Sequence, residues 1–557
     1  MKPARTPTTV SPPKFWIRFP YLIIILLGFI LYAHTLKYDY TNLDDKTLIA
    51  DDKEFVSKLS NIPEAFKLDV FKEMAGTFYR PLFVTSLIID GSLGKMSFTV
   101  YHFSNILFHL LSACLLFSLL IKLRINKSSS LLLVLFFVVH PALMQAVAWI
   151  PGRNDSLLAV FVLSSFIMLM NYIQSKKTIH FVLHTLFFIM AMFTKETAIV
   201  LPVLYLLMLR IFGKEKLFSK STILFFVSWL VLLIVWFVAR KNAIQTSQGT
   251  TPLEFLSNIP RNLPSFFIYV GKILLPFNLS VMPTVADSTI IFGIISIIVI
   301  PVLFFISKTK FTSLAVFGSC WFVLFIIPVF LVPQASAFFY EQRLYLPLMG
   351  LLIIFGQLVI DTTNQKRIKY FNSALVVLTI CFLPINIMYS KNFSDKIIFW
   401  DNAIATSPNS AYVEKIAASV YYINNNPEKA KTCFIKALEA NPNELAVNND
   451  LGVIYRDRKE WDQAIACFER EIALDAVSEK AYYNLGFALY STNKKEEAVK
   501  KWEKVVELSP EYKDVYQSLA LVNAELKNFE RARYYAAEAT KHGIDVPKDF
   551  LKAIGAE

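Results

Sequence analysis

The chain has 557 residues, of which 55% are hydrophobic, 15% aromatic and only 18% charged. Soluble domains average about one-quarter charged residues, so this composition excludes an ordinary soluble protein and predicts a polytopic membrane protein. The net charge of +13 would suit a nucleic-acid binder. It is concentrated in loops between apolar stretches, where it marks membrane topology instead. We therefore expect no nucleic-acid partner.

Long apolar stretches fill most of the first 390 residues, and several approach the ~20 residues that cross a bilayer as a helix. A further stretch at 261–279 contains Pro264, Pro276 and Lys272, and we interpret it as a re-entrant or interfacial segment. The sequence predicts eleven spans, at 20–36, 100–121, 130–149, 156–173, 178–194, 198–213, 221–239, 289–307, 312–333, 344–361 and 371–390.

Basic residues cluster in alternate loops between these spans, and the positive-inside rule places such loops in the cytoplasm. The leader 1–19 is then cytoplasmic, and the membrane domain covers 20–395. The first loop, 37–99, and the whole chain after the last span are expected outside the cytoplasm. The membrane is the plasma or inner membrane, or that of the endoplasmic reticulum in a eukaryote.

The first outward loop opens with "YDYTNLDDKTLIADD", which holds five aspartates between Tyr38 and Asp52. Ionisable groups at the edge of a span are costly, so each is a functional candidate. In the second span, His102, Asn105 and His109 are spaced three and four residues apart and therefore share one helical face. The polar candidates on the outward side, beyond this loop, are Arg80, His102, Asn105, His109, Arg153, Asp155, Lys195, Glu196, Glu341 and Arg343.

Carboxylates and cations collected on one side suit sugar transfer from a lipid-linked phosphate. Arginine and lysine pair with phosphate oxygens near the headgroup plane. A carboxylate in the first loop would accept a proton from the acceptor hydroxyl. Its neighbours would position the acceptor or hold a divalent cation, Mg²⁺ or Mn²⁺, through oxygen ligands. A metal-hydrolase interpretation fails because the sequence has no H-E-x-x-H motif.

The last 150 residues are polar and periodic. Four alanines recur every 34 residues, at Ala430, Ala464, Ala498 and Ala532. This period is the signature of tetratricopeptide repeats, which pack as paired helices. We predict a linker at 396–410, four repeats at 411–544 and a capping helix within 545–557. Such arrays bind extended peptides or partner proteins, and the candidate binding residues are Asn449, Arg456, Tyr483 and Tyr490.

Several motifs in order resemble the transmembrane and tetratricopeptide repeat-containing O-mannosyltransferases. The acidic pair Asp44–Asp45 follows the first span, and "YRPL" follows at 79–82. "YHFSNILFHLLSACLL" at 101–116 and "HPALMQAVAWIPGRNDSLLA" at 140–159 match further family stretches. "KET" at 195–197, "EQRLYLPLMG" at 341–350 and the repeat array complete the resemblance, which spans nearly the whole chain.

The resemblance implies an all-α membrane glycosyltransferase of the C-type superfamily, followed by a repeat solenoid. Such enzymes transfer a sugar, mannose in the named family, from a polyprenyl-phosphate carrier to a protein hydroxyl with inversion, and the repeats would recruit the acceptor. The family's acidic pair falls on Asp44 and Asp45, with Asp44 preferred as the base. Donor phosphate binding falls on Arg343, with Lys195 and Arg153 as helpers. The chain departs from the family pattern at Leu43, Gln145 and Asn154, which leaves the donor sugar and the acceptor open.

Two alternatives remain open. An oligosaccharide transferase resembling O-antigen ligases can also carry tetratricopeptide repeats, but it would place its working residues in a long late loop. Here the first outward loop is the long one. The second alternative is a non-catalytic, membrane-anchored scaffold whose repeats gather envelope proteins.

Overall fold

The computed structural model describes residues 18–72, 78–216, 218–244, 252–307, 312–331, 338–360 and 364–556, with only the backbone at 252–256 and 306–307. Within these ranges the chain forms helices and turns and no strand, so the all-α prediction is confirmed. Of the predicted leader, 1–17 lies outside the described residues. The chain divides into two compact units, Met1–Ser407 and Pro408–Glu557.

Six helical segments of the described residues are long and apolar enough to cross a membrane, or seven if one bent pair counts as one span. Ten of the eleven predicted spans each overlap one α-helix, but several of those helices are too short to meet this criterion. The span predicted at 130–149 is instead broken, with a bend of 57°. The segment 261–279, expected to be re-entrant or interfacial, lies up to Leu274 in one helix, Pro252–Leu274, with Pro260 and Pro264 inside it. Its position relative to a membrane stays a prediction. The six segments are Pro20–Lys37, Phe98–Lys122, Ile150–Ser175, Lys220–Ala243, Ser313–Phe330 and Gln365–Phe393; the bent pair is Lys127–Val139 with Pro141–Ala148.

The shorter helices of the first unit fill the space between these segments. They include Pro81–Leu93, Thr178–Thr194, Leu201–Ile211, Ile291–Ser307 and Tyr345–Gln357. The third segment consists mainly of the helix Arg153–Ser175. Helix Ser313–Phe330 packs on Tyr345–Gln357 at a close crossing. A Cβ on Gly318 would stand 2.7 Å from the Gly350 carbonyl oxygen. Small residues at this crossing allow the backbones to touch, as is typical between membrane helices.

The first predicted loop, 37–99, is a folded layer. It contains a π-helical turn Lys46–Ala50, the short helices Lys53–Val56 and Ile62–Ala65, and the helix Pro81–Leu93. Ile49, Val56, Phe83 and Ile88 form its buried core together with Ile150. The layer therefore holds the aspartates of the loop in fixed positions, because burying apolar side chains stabilises one arrangement.

The predicted linker differs from the expectation. Residues Lys396–Thr406 form a helix, and its Phe399, Trp400 and Ala403 are buried. Asp395 caps the helix by accepting from the backbone N–H groups of Ile397 and Ile398. This segment belongs to the first compact unit, which ends at Ser407.

The second unit consists of paired helices at the predicted period. The four repeat alanines are fully buried. A Cβ on Gly452 would stand 2.6 Å from Phe468, and a Cβ on Gly486 would stand 2.5 Å from the Trp502 indole. Glycine in the first helix of each pair therefore leaves room for the bulky ring of the second helix. The pairs are Ala411–Ile423 with Pro427–Ala440, Val447–Asp457 with Trp461–Leu474, Glu479–Ser491 with Lys495–Leu508, and Lys513–Glu525 with Phe529–Lys541; Lys548–Ala553 follows.

Candidate functional site

The acidic loop, which we define as Tyr38–Asp52, gives its adjacent aspartates Asp44 and Asp45 different environments. Asp45 is buried, with 1% of its surface exposed. Its carboxylate accepts from the Thr41 N–H at 2.6 Å, the Thr41 hydroxyl at 3.0 Å and the Leu43 N–H at 3.0 Å. Burial raises the pKa of Asp45, and these hydrogen bonds oppose that rise. Asp45 therefore holds the turn together.

Asp44 is the less constrained member of the pair. It is partly buried, and no donor in the described part of the chain makes a hydrogen bond to its carboxylate. Burial and the neighbouring Asp45 raise the pKa of Asp44 to about 7, although Arg80 acts in the opposite direction. A carboxylate with a pKa near the working pH can take up a proton and release it. Asp44 is the candidate general base.

Arg80 and Glu196 join the start of helix Pro81–Leu93 to a turn more than one hundred residues away. The Arg80 Nε donates to Glu196 Oε2 at 2.9 Å, and the Arg80 Nη2 bonds Oε1. Burial alone would raise the pKa of Glu196, but the Arg80 guanidinium reverses that effect and lowers it to about 2. Glu196 is therefore charged, and Arg80 is a fixed cation near Asp44.

Lys195 lies beside Arg80 and contacts the start of helix Arg153–Ser175. Its Nζ donates to Asp155 Oδ1 at 2.7 Å and to Asn154 Oδ1 at 3.2 Å. Burial lowers the pKa of Lys195, and Asp155 opposes this. The second Asp155 oxygen, Oδ2, is buried without a hydrogen-bond partner in the described part of the chain. We call Asp44, Arg80, Asp155, Lys195 and Glu196 the Asp44 cluster.

Arg153 does not join this cluster, and the structure corrects the role expected for it. Its guanidinium is fully buried and pairs with Asp90 at 2.5 Å. It also donates to Asn105 Oδ1 at 2.7 Å and to the Tyr101 carbonyl oxygen at 2.6 Å. All three nitrogens are thus engaged inside the protein, so Arg153 has no face left for a donor phosphate. We withdraw it as a phosphate ligand.

The polar candidates His102, Asn105 and His109 are all buried in the first unit, but they make different contacts. Asn105 donates to the backbone carbonyls of Val147 and Trp149, both at 3.0 Å, which fixes the 145–150 turn. His109 contacts the Tyr345 hydroxyl at 2.7 Å. His102 is buried and packs edge-on against Tyr38 of the acidic loop, with ring centroids 6.2 Å apart. Asn105 and His109 support the scaffold, and His102 packs beneath the loop.

Glu341 is also a scaffold residue. Its carboxylate is fully buried and accepts from Lys272 Nζ at 2.5 Å, the Tyr389 hydroxyl at 2.5 Å and the Ser280 N–H at 3.0 Å. Removing Lys272 would leave the buried carboxylate charge uncompensated, and removing either neutral donor would cost the carboxylate one hydrogen bond. Glu341 thereby links the helix Pro252–Leu274 to the turn that carries Arg343.

Arg343 is a cation with unused donors. Its Nη1 is buried and has no hydrogen-bond partner within the described ranges. Its guanidinium lies 5.6 Å from the ring centroid of Tyr340, and Tyr340 stacks on Trp149 at 5.9 Å. Trp149 ends the short helix Gln145–Ala148, only a few residues before Asp155. A buried, unpartnered guanidinium nitrogen is costly and is suited to receive an anionic oxygen.

A divalent cation was expected near the acidic residues. No group of three His, Cys, Asp or Glu side chains that could hold a metal ion occurs in the part of the chain that the structure describes. This observation does not test a cation held by one or two carboxylates together with a donor phosphate, so the divalent cation stays a prediction.

The predicted binding residues of the repeats form a connected polar row. Asn484 donates to Asn449 Oδ1 and Arg456 donates to Asn484 Oδ1, both at 2.9 Å. Tyr483 packs on Trp502, and the Tyr490 hydroxyl donates to Glu525 at 2.7 Å. Asn449 is buried, whereas Tyr483 and Tyr490 are partly exposed. The two tyrosines are the better placed to touch a partner.

Sequence reasoning missed several residues that shape the site. Asp90, the partner of Arg153, lies in the apolar helix Pro81–Leu93. A single carboxylate in an apolar helix is costly, so the sequence could have indicated that Asp90 has a buried partner. Tyr389, Thr41 and Trp400 gave no such signal, because their roles depend on contacts between distant segments.

Three family models match the repeats: "TPR repeat" at 452–493, and "Tetratricopeptide repeat" at 479–512 and at 416–444. Among curated proteins, Protein O-mannosyl-transferase TMTC3 of Mus musculus is 21% identical over 577 aligned positions, covering 90% of this chain and 62% of its own length. Protein O-mannosyl-transferase Tmtc1 of Drosophila melanogaster is 26% identical, covering 31% of this chain and 20% of its own length.

A solved structure of MamA is 20% identical over 26% of this chain and 83% of its own, with a TM-score of 0.26. The fold and the family matches define a polytopic helical membrane protein with a tetratricopeptide-repeat solenoid. The chain is a distant relative of the TMTC protein O-mannosyl-transferases. It spans less than two thirds of the length of the mouse relative.

Proposed function

We propose that the protein is a membrane glycosyltransferase that moves a sugar from a polyprenyl-phosphate donor to a hydroxyl acceptor outside the cytoplasm. The observation that carries the proposal is Asp44, a partly buried carboxylate that receives no hydrogen bond within the described ranges and has a pKa of about 7. It lies directly after the first membrane segment, and Arg80 supplies positive charge nearby. This arrangement fits a base that is neutralised once per turnover.

The reaction is a single displacement. The acceptor hydroxyl gives its proton to the Asp44 carboxylate while its oxygen bonds to the anomeric carbon of the sugar. The bond between that carbon and the phosphate oxygen breaks, and the phosphate leaves on the lipid. Attack opposite to the leaving group inverts the anomeric centre. Arg343 donates from Nη1 to the departing phosphate, where the negative charge increases in the transition state.

The Asp44 cluster supports this base. Asp45 fixes the turn on which Asp44 sits, through its hydrogen bonds to Thr41 and Leu43. Arg80 and Lys195 are each paired with a carboxylate, Glu196 and Asp155 respectively. These pairs fix two cations near the base, and Lys195 assists Arg343 in orienting the donor. Fixed charges stabilise a transition state without having to reorganise during the reaction.

Mannose is the sugar to test first, because the named relatives are protein O-mannosyl-transferases. A protein serine or threonine is the acceptor class that those names suggest. The repeats recruit the acceptor, with the partly exposed Tyr483 and Tyr490 as the aromatic contacts. We place the N-terminus in the cytoplasm and the repeats outside it, and a reporter fused after Glu557 tests that orientation.

Transfer assays with the purified full-length protein test the function. Radiolabelled mannose is supplied either on a polyprenyl phosphate or on a nucleoside diphosphate, together with a serine- and threonine-rich acceptor protein. We expect transfer from the lipid donor alone. A third donor, a polyprenyl-linked oligosaccharide, is supplied in parallel: transfer of the whole oligosaccharide would favour an oligosaccharide transferase, and no transfer from any lipid donor would favour a scaffold.

A further inference from the structure

The helix that precedes the repeats bonds directly to the acidic loop. The Trp400 indole Nε1 donates to the Thr41 carbonyl oxygen at 3.0 Å, and the Trp400 side chain is fully buried. The Asp39 N–H donates to the Ser394 carbonyl oxygen at 2.9 Å. The helix Lys396–Thr406 and the loop are thus held together through side-chain and backbone contacts.

Thr41 is also the main donor to Asp45. Its N–H and its hydroxyl both reach that carboxylate. The next residue, Asn42, has a φ of 61°, a left-handed conformation that asparagine adopts more readily than most residues and that marks a tight turn. Asp45 holds this turn from within the loop. Trp400 holds it from outside, through the carbonyl group between Thr41 and Asn42.

The C-terminal part of helix Lys396–Thr406 contacts residues 280–281, which connect to the turn that carries Arg343. The Val281 N–H donates to Asn402 Oδ1 at 3.2 Å, and the Thr406 and Ser280 hydroxyls lie 2.6 Å apart. Ser280 in turn donates its N–H to Glu341, two residues before Arg343. The helix therefore bridges the loop that carries Asp44 and the turn next to the phosphate-binding candidate.

We propose that helix Lys396–Thr406 fixes the distance between the base and the phosphate-binding arginine, with Trp400 as the positioning residue. The proposal rests on the function proposed above for Asp44 and Arg343. Trp400 touches neither substrate; it acts through Thr41 and the turn at Asn42. The helix is thus a working part of the membrane unit, although by sequence it is a connection to the repeats.

The test compares Trp400→Phe with Trp229→Phe in the full-length protein. Both changes keep an aromatic ring and remove one buried indole hydrogen bond, since the Trp229 Nε1 donates to His184 at 2.9 Å. We expect Trp400→Phe to lower kcat about tenfold with an unchanged KM for the donor. The acid limb of its pH profile should move to lower pH, because a looser loop admits water to Asp44. Trp229→Phe should keep the wild-type pH profile.

Hydrogen exchange separates a failure of this inference from a failure of the proposed function. Trp400→Phe should speed amide exchange at 39–46, and Trp229→Phe should not, whether or not transfer activity is found. Wild-type exchange at 39–46 with an unchanged kcat and pH profile would overturn the positioning role. If Trp400→Phe does not fold, Asn402→Ala releases the other end of the helix and should give the same changes.

Discussion

The guanidinium of Arg80 bonds both carboxylate oxygens of Glu196, although 116 positions separate the two residues in the chain. The pair joins the start of helix Pro81–Leu93 to the turn Glu196–Val200. It also places a permanent positive charge near Asp44. The electrostatics of the base therefore depend on a contact between two turns that the sequence places far apart.

This contact predicts a pH effect. Asp44 must be deprotonated to act as a base, and its pKa of about 7 puts the acid limb of kcat near neutral pH. Arg80 lowers that pKa, so Arg80→Gln should raise it and move the acid limb to higher pH. Less of the enzyme is then active at pH 7. The pH dependence of kcat provides the measurement.

Lys72→Gln is the matched control, because Lys72 is a cation of the same layer that pairs with Asp52. It should leave the acid limb where it is in the wild type. If Arg80→Gln has the wild-type acid limb, Asp44 is not the group that titrates.

The Nη1 of Arg343, which has no hydrogen-bond partner among the described residues, predicts a loss of transition-state stabilisation on substitution. Arg343→Gln should lower kcat by about 100-fold, the usual effect of removing one donor from a developing negative charge. Arg343→Lys should recover only part of the rate, since a lysine lacks the guanidinium fork. Steady-state kinetics with the lipid donor measure both.

Arg261 is an exposed arginine of helix Pro252–Leu274, and Arg261→Gln is expected to keep the wild-type rate. Equal activity of Arg343→Gln and wild type would remove Arg343 from the site.

Arg153 predicts an effect on stability rather than on donor binding. Arg153→Met leaves the buried Asp90 carboxylate without its cation, which costs about 3–5 kcal/mol. The unfolding temperature in detergent should fall clearly, while the KM for the donor in the folded fraction stays constant. Arg153→Met combined with Asp90→Asn should be more stable than Arg153→Met alone. A variant with wild-type stability and a raised donor KM would restore Arg153 as a phosphate ligand.

The repeats give a prediction that is independent of catalysis. Gly486→Ala would place a methyl group 2.5 Å from the Trp502 indole, so the pair of helices must shift. Overpacking of this kind costs about 1–3 kcal/mol. Urea unfolding of the fragment 408–557 measures the loss, with Ser491→Ala on an exposed position as the control. Equal midpoints for Gly486→Ala and wild type would contradict the close packing.

The features that sequence predicted best are those that repeat or extend along the chain. The 34-residue period of Ala430 and its equivalents defined the repeats, because each helix pair needs a small residue at the same place. Apolar length indicated where membrane helices lie. It did not predict the apolar helix Pro81–Leu93 inside the first loop, because its 13 residues are too few to cross a bilayer.

The individual roles of charged residues were harder to predict, because they depend on which segments meet. Arg80 and Arg153 both looked like outward cations, yet the first is near Asp44 and the second is buried against Asp90. Asp44 and Asp45 are neighbours in sequence. Thr41 donates hydrogen bonds to Asp45, which supports the turn, whereas Asp44 receives no hydrogen bond within the described ranges. The contact of Trp400 with that turn crosses 359 positions and leaves no pattern in the sequence.

The most direct test of the account compares Asp44→Asn with Asp51→Asn in the lipid-donor transfer assay. Both replacements remove one negative charge from the acidic loop and keep the side-chain shape. Asp51 is exposed and pairs with Lys46. We predict that Asp44→Asn abolishes sugar transfer while still binding the donor, and that Asp51→Asn transfers at the wild-type rate. Robust transfer by Asp44→Asn would contradict the assignment of Asp44 as the catalytic base.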